Sequence, residues 1–194
     1  MIKPIYYKSF RSRKTQKFEQ PSNSVIEILN HQDDKILDIG FGTGESTLSL
    51  KKNFPDLIVC GIEAYKTGIN NLINEDIYLH YGDALEIIEQ MKSNSIAQIY
   101  MLFPDPWQKK KHRKRRLFNR YTFKIINSIM KKDGFFHFSS DNINYALEAR
   151  EIIREITKCE INFSNNRGQR PITKYEKKAS LKNNFVFDLI YIKK

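Results

Sequence analysis

Acidic side chains close several apolar runs in this chain, and two of those runs lead into turns built for chemistry. The first is Asp38-Ile39-Gly40-Phe41-Gly42-Thr43-Gly44, which follows a strand-like stretch at 35–40 and opens a helical pattern. Glycine lets the backbone turn sharply against a ligand, and a helix N-terminus supplies unpaired N–H groups. Glu63 ends the next apolar run, nineteen residues after Gly44, where a carboxylate can accept both hydroxyls of an adenosine ribose. These features suit NAD as well as S-adenosylmethionine. The spacing is G-x-G-x-G, however, and not the dinucleotide G-x-G-x-x-G. Two more acids shift the balance toward S-adenosylmethionine. Asp38 stands where it could meet a cationic ammonium, and Asp83, in Tyr81-Gly82-Asp83-Ala84, could accept from an adenine amino group. Carboxylates there would repel a pyrophosphate.

The second turn is Phe103-Pro104-Asp105-Pro106-Trp107-Gln108-Lys109, at the end of the apolar run 96–103. Ligands bind beyond the carboxyl ends of strands in open α/β sheets, so Asp105 is expected to face the reacting group. The flanking prolines fix the backbone and pre-orient its carboxylate. Trp107, the only tryptophan, could stack on a base. Directly after it, seven of the eight residues from Lys109 to Arg116 are basic, which reads as a phosphate clamp beside an active-site turn. The net charge of +11 is unevenly divided. Residues 1–18 hold six bases and no acid, 19–108 five bases and fourteen acids, and 109–194 twenty-two bases and eight acids. An acidic middle flanked by basic segments suits a polyanionic partner.

Strand-length apolar runs alternate with helical patterns across the rest of the chain. Strands are expected at 35–40, 57–63, 77–81, 96–103 and 135–139, with helices from about Thr43, at 84–91, 121–131 and 142–157. Residues 159–164 and 185–192 lack a clear helix between them and read as an antiparallel hairpin, its second member a central strand. The pattern predicts a doubly wound α/β sheet. A basic arm over 1–20 and one domain over 21–194 are expected. No apolar run approaches the ~20 residues of a membrane span, and Met1–Phe10 lacks the apolar core of a secretory signal. The two cysteines, Cys60 and Cys159, form no metal-ligand pair and read as buried thiols. A cytoplasmic protein without membrane contact or a metal is the simplest reading.

Taken together, Phe103 to Arg116 resembles the F-P-D-P-W-x-K…K-R-R signature of the bacterial tRNA (guanine-N7-)-methyltransferases. Ser139-Ser140-Asp141 and Arg170-Pro171-Ile172-Thr173-Lys174-Tyr175-Glu176 are similar to two further elements of that family. The resemblance runs from about Phe10 to the C-terminus. It implies a Rossmann-like, seven-stranded, mostly parallel sheet with helices on both faces and a C-terminal antiparallel strand. It also implies methyl transfer from S-adenosylmethionine, with S-adenosylhomocysteine as product, to N7 of the variable-loop guanine (position 46) of tRNA. By resemblance Asp38, Gly40, Gly42, Gly44, Glu63, Asp83, Ala84 and Asp105 hold the donor, with Asp105 also catalytic. Lys109, Asp141, Thr173, Lys174, Tyr175 and Glu176 hold the guanosine. Lys111, His112, Arg113, Lys114, Arg115 and Arg116 meet the RNA. No obligate protein partner is implied, and a monomer or homodimer fits. Three positions depart from the family pattern: Asp38 stands for a usual Glu, Gln108 for a usual His and Asn142 for a usual Trp.

Guanine N7 carries a free lone pair, so such a transfer needs no general base; alignment and charge stabilisation would suffice. Of the histidines, His31 reads as surface, His80 and His137 as packed within strands, and His112 as part of the clamp. Three rival readings remain at this level: an NAD-dependent oxidoreductase, a non-catalytic RNA-binding module, and a methyltransferase acting on an exocyclic amine. The last typically carries an N/D-P-P-Y/W/F turn, which Phe-Pro-Asp-Pro-Trp is not.

Overall fold

The computed structural model describes residues 3–4, 25–164, 166–181 and 184–194. In chain order these form α1 (Val25–Leu29), β1 (Lys35–Ile39), α2 (Glu45–Asn53), β2 (Ile58–Glu63), α3 (Lys66–Leu72), β3 (Tyr78–Tyr81), α4 (Ala84–Ile88) and β4 (Ile96–Leu102). There follow a 3-10 helix (Lys110–Arg115), α5 (Arg120–Ile129), β5 (Met130–Ser140), α6 (Ile143–Thr157), α7 (Lys174–Leu181) and β6 (Phe187–Ile192). Most of the expected basic arm lies outside the described residues.

The strands read as near-continuous apolar runs because both faces of the sheet are covered. Leu37, Ile39, Cys60, Ile62, Ile99 and Met101 point to one face and pack against α1, α4, α5 and α6. Ile36, Val59, Tyr100 and Leu102 point to the other, where Leu50 of α2 and Ile69 and Leu72 of α3 cover them. The sheet order is β3-β2-β1-β4-β5-β6, with the first five strands parallel and β6 antiparallel to β5. The carboxyl ends of β1 to β5 therefore share one edge. The winding reverses between β1 and β4, which opens a crevice there.

Six strands form among the described residues, where seven were expected. Residues 159–164 meet β6 only at one antiparallel bridge, Ser164 to Asp188, with the Ser164 N–H donating to the Asp188 carbonyl at 2.8 Å. Side chains hold that segment instead: Phe163 packs on Phe187 at 5.3 Å and lies under the Arg150 guanidinium. β6 is accordingly the outermost named strand and not a central one. A further difference is α7, which occupies the stretch where no helix was expected. Its sequence, KYEKKASL, buries only Ala179 and so carries no apolar stripe to read.

Candidate active site

A cavity of about 670 Å³ opens along the carboxyl edge of the sheet. Its walls come from the turn after β1 (Gly40, Gly42), the end of β2 (Glu63, Ala64, Tyr65), the turn after β3 (Gly82, Asp83, Ala84), the turn after β4 (Phe103, Pro104, Asp105, Trp107) and the start of α7 (Lys174, Tyr175). Ile39, Ile62, Leu85 and Leu117 give it an apolar floor, and Pro4 and Arg115 reach its rim. Nine of the expected site residues meet here: Gly40, Gly42, Glu63, Asp83, Ala84, Asp105, Arg115, Lys174 and Tyr175.

The turn after β1 is held from beneath and from the side. Gly44 caps α2 with φ at 93°, and a Cβ there would lie 2.7 Å from the Leu72 side chain, so only glycine fits. Gly68, inside α3, lets that helix rest on the turn: a Cβ on it would come within 1.8 Å of the Gly42 carbonyl oxygen. Sequence reasoning missed Gly68, whose one signal is a glycine inside a helix. Glu63 ties the turn to β2. Its carboxylate accepts from the Gly42 N–H at 2.6 Å and the Tyr65 N–H at 2.7 Å. Burial pushes its pKa up, and these N–H groups only partly offset that. Asp83 caps α4, accepting from the Leu85 N–H at 3.0 Å, and burial raises its pKa as well.

Asp38 does not line the cavity. Its Oδ2 accepts from Ser46 Oγ and Thr47 Oγ1, both at 2.9 Å, which fastens β1 to the first turn of α2. Its Oδ1 is buried with no hydrogen-bond partner among the described residues. The aspartate thus braces the glycine turn from behind. Burial lifts its pKa from 3.8 to about 6 against the pull of the two hydroxyls. A carboxyl that holds its proton more tightly when folded destabilises the folded state as pH rises from about 4 to about 6, and the ionised form carries that cost above. Asp38→Asn keeps an acceptor for both hydroxyls and cannot ionise. We expect the variant to melt above the parent chain at about pH 8 and the gap to close toward about pH 4. Melting curves across that range check this; a variant less stable at the higher pH would contradict it.

The turn after β4 is strained at both ends. Phe103 and Trp107 adopt φ of 53° and 39°, which bulky L-residues avoid at a cost of about 1–3 kcal/mol each. Their surroundings hold them there. The Phe103 N–H donates to the Ser139 carbonyl at 2.9 Å, and its ring stacks on Tyr175 at 6.1 Å. Trp107 lies under the Arg115 guanidinium at 5.0 Å and meets His112 edge-on. Between them Asp105 is exposed and opens onto the cavity.

The basic block forms the 3-10 helix, and its members part company. Lys111, Arg113 and Lys114 are exposed, as is Lys109 ahead of them. Arg116 departs from the expected RNA contact: it is 2% exposed and turned inward. Its Nε donates to the Pro106 carbonyl at 2.7 Å, and Nη1 pairs with Glu148.

At α7, Tyr175 closes the cavity against Phe103, while Thr173 is buried beneath and its Oγ1 accepts from the Glu176 N–H at 3.2 Å. Glu176 does not line the cavity; its Oε2 accepts from Arg170 Nη1 at 2.6 Å. Arg170 in turn makes a two-point pair with Asp188, at 2.5 and 2.9 Å, and Asp188 meets His137 Nε2 at 2.9 Å. Burial works to raise the Asp188 carboxyl, but the His137 and Arg170 bonds overcome it and hold it below its ordinary value. This buried chain was not foreseen from sequence. Lys109 and exposed Asp141 also stand outside the cavity wall. Cys60 is buried as expected, whereas Cys159 is only partly so.

A family model described as "Putative methyltransferase" matches residues 32–189. The tRNA (guanine-N(7)-)-methyltransferase of Buchnera aphidicola subsp. Acyrthosiphon pisum (strain Tuc7) is 36% identical over 187 residues, covering 90% of this chain and 78% of the relative. The chain belongs to the tRNA (guanine-N7-)-methyltransferase family. Relatives of the same name in Francisella philomiragia and Legionella pneumophila (strain Corby) are 34% and 31% identical, over 90% and 92% of this chain and 81% and 86% of theirs. Solved structures share the fold at low identity. A 16S rRNA methyltransferase aligns with a TM-score of 0.60 at 14% identity, over 93% of this chain and 96% of the other. A SAM-dependent methyltransferase from Archaeoglobus fulgidus aligns with a TM-score of 0.55 at 14% identity, over 86% and 90% of the two chains. Two of the three blocks that carried the resemblance, Phe103 to Arg116 and Arg170 to Glu176, supply residues to the cavity wall, whereas Ser139-Ser140-Asp141 does not. Among the described residues no helix is long and apolar enough to cross a membrane.

Proposed function

We propose that the cavity binds S-adenosylmethionine and that the chain methylates N7 of the variable-loop guanine, position 46, of tRNA. The observation that carries this reading is the strained Phe103–Trp107 turn, which holds Asp105 at the wall of the cavity that the glycine turn also lines. The donor set suits the cofactor. Glu63 offers acceptors for ribose hydroxyls, Asp83 and the backbone at Ala84 suit an adenine edge, and Ile62 and Leu85 offer apolar contact. Carboxylates at these points would repel the phosphates of a dinucleotide. When bound, S-adenosylmethionine supplies an activated methyl on a sulfonium.

The protein's work is then positioning. N7 has a free lone pair, so no side chain need remove a proton before attack. Holding donor and acceptor in line can supply several kcal/mol. Positive charge passes to the guanine as the bond forms, and a carboxylate beside the ring edge stabilises it. Asp105 is the candidate on the cavity wall. Tyr175 and Trp107 offer ring faces for the base, while Lys174 and Arg115 at the rim suit the adjoining phosphates. Lys109, Asp141 and Glu176 would join the guanosine site only as its substrate end extends beyond the present walls. An oxidoreductase reading leaves the basic helix unused, and a binding-only reading leaves the strained acidic turn unused.

Incubating the protein with labelled cofactor and unmodified tRNA, then mapping the labelled nucleoside, tests the proposal; label on an exocyclic amine would overturn it. The exposed rail makes a separate prediction. Replacing Lys111, Arg113 and Lys114 together with glutamine should flatten the slope of log K for tRNA against log salt by about 0.7–0.9 per lost phosphate contact, with S-adenosylhomocysteine affinity unaltered. An unchanged slope would mean that the rail never meets RNA.

A further inference from the structure

We infer that Arg116 is a positioning residue for Asp105, so that the last arginine of the basic block serves the catalytic turn and not the RNA; the inference rests on the function proposed above. Arg116 follows Asp105 by eleven positions in sequence, and the fold brings its guanidinium under the turn. Three contacts hold the guanidinium. Nε donates to the Pro106 carbonyl at 2.7 Å, Nη1 pairs with Glu148 of α6, and the plane lies 4.5 Å from the Tyr145 ring centroid. Tyr145 is itself fixed, because its hydroxyl accepts from the Phe118 N–H at 3.0 Å.

The carbonyl that Arg116 holds belongs to the residue between Asp105 and Trp107. Trp107 adopts a positive φ that an aromatic residue does not choose unaided. A charge-assisted bond at that carbonyl adds to the ring contacts that keep the turn from relaxing, and it acts on the backbone beside Asp105 itself. Relaxation would swing the Asp105 carboxylate off the cavity wall without removing it. A phosphate could not reach this guanidinium, since Arg116 is 2% exposed. Lysine cannot replace it: one ammonium lacks the planar fork that serves Pro106, Glu148 and Tyr145 together.

The test uses the intact chain carrying Arg116→Lys, with Glu148→Gln as a milder variant on a partly exposed partner. Trp107 is the only tryptophan, so its fluorescence reports the turn without reference to activity. Acrylamide should quench Trp107 more strongly in Arg116→Lys than in the parent, with an intermediate value in Glu148→Gln. With tRNA as substrate, kcat should fall about tenfold or more, while KM and its salt slope stay within about twofold of the parent. Arg113→Gln should do the reverse, raising KM and leaving quenching alone. Should Arg116→Lys not fold, Glu148→Gln carries the same comparison. Unchanged quenching with a raised KM and a flattened salt slope would overturn the inference and return Arg116 to the RNA. A parent chain inactive on tRNA would overturn the proposed function alone, and the quenching comparison would still decide the role of Arg116.

Discussion

Asp105→Ala is expected to reduce methyl transfer to tRNA by about a hundredfold or more, some 3 kcal/mol of barrier, while S-adenosylhomocysteine binds nearly as before. The asymmetry follows from where the carboxylate sits. Asp105 projects from a turn held by Pro104 and Pro106, by the Arg116 bond to the Pro106 carbonyl and by the ring contacts of Phe103 and Trp107, so deleting the carboxylate leaves the turn in place. The proposed adenosine end of the cavity is walled by Glu63, at the end of β2, and by Asp83 and Ala84, at the start of α4. On the proposed function, the alanine removes the negative group that faces the charge building on guanine during transfer. Single-turnover rates with saturating cofactor give the clean reading. Retention of more than about a tenth of the parent rate, under ~1.4 kcal/mol, would show that Asp105 is not central.

The second large effect is expected at Glu63. Both of its oxygens already accept backbone N–H groups, from Gly42 on one side and Tyr65 on the other. The side chain therefore shapes the glycine turn in addition to the ribose contact proposed for it. Glu63→Ala loses a charged acceptor worth roughly 1.5–3 kcal/mol, about ten- to a hundredfold in cofactor affinity. Glutamine is usually the gentle replacement, but here its NH2 must face one of the two N–H groups. Glu63→Gln should accordingly bind S-adenosylhomocysteine almost as poorly as Glu63→Ala. Calorimetry on both variants decides it. A glutamine variant with the parent's affinity would mean that the Gly42 and Tyr65 bonds do not govern the site.

The parts of this site that could be read from the sequence are those where one local pattern implies one position. Asp38, Glu63, Asp83 and Asp105 each follow an apolar run, and in a doubly wound sheet such ends converge on one edge. Knowing that a residue lies at that edge does not say which way it points. Asp38 turns back to Ser46 and Thr47, and nothing in Asp-Ile-Gly separates that from facing the ligand. Arg116 reads as one more cation in a run, and only Tyr145 and Glu148, some thirty residues on, draw it inward. The positive φ of Phe103 and Trp107 leaves no compositional trace, because neither is glycine or asparagine. The Arg170–Asp188 pair bridges eighteen residues across a stretch that seemed structureless, and α7 within it has no apolar stripe. That the expected seventh strand does not form among the described residues has a similar origin. Residues 159–164 have strand-like composition, but Phe163 is satisfied by Phe187 and Arg150, and the backbone pairs only at Ser164.

The most direct test of the account asks whether the methyl goes to one nitrogen. Two otherwise identical tRNAs would be offered with labelled S-adenosylmethionine, one carrying guanosine in the variable loop and the other 7-deazaguanosine. The analogue keeps the Watson–Crick edge and the stacking surface and lacks only the N7 lone pair. The account predicts label in the first tRNA alone, recovered as N7-methylguanosine. Equal labelling of both, or none in either, would contradict it.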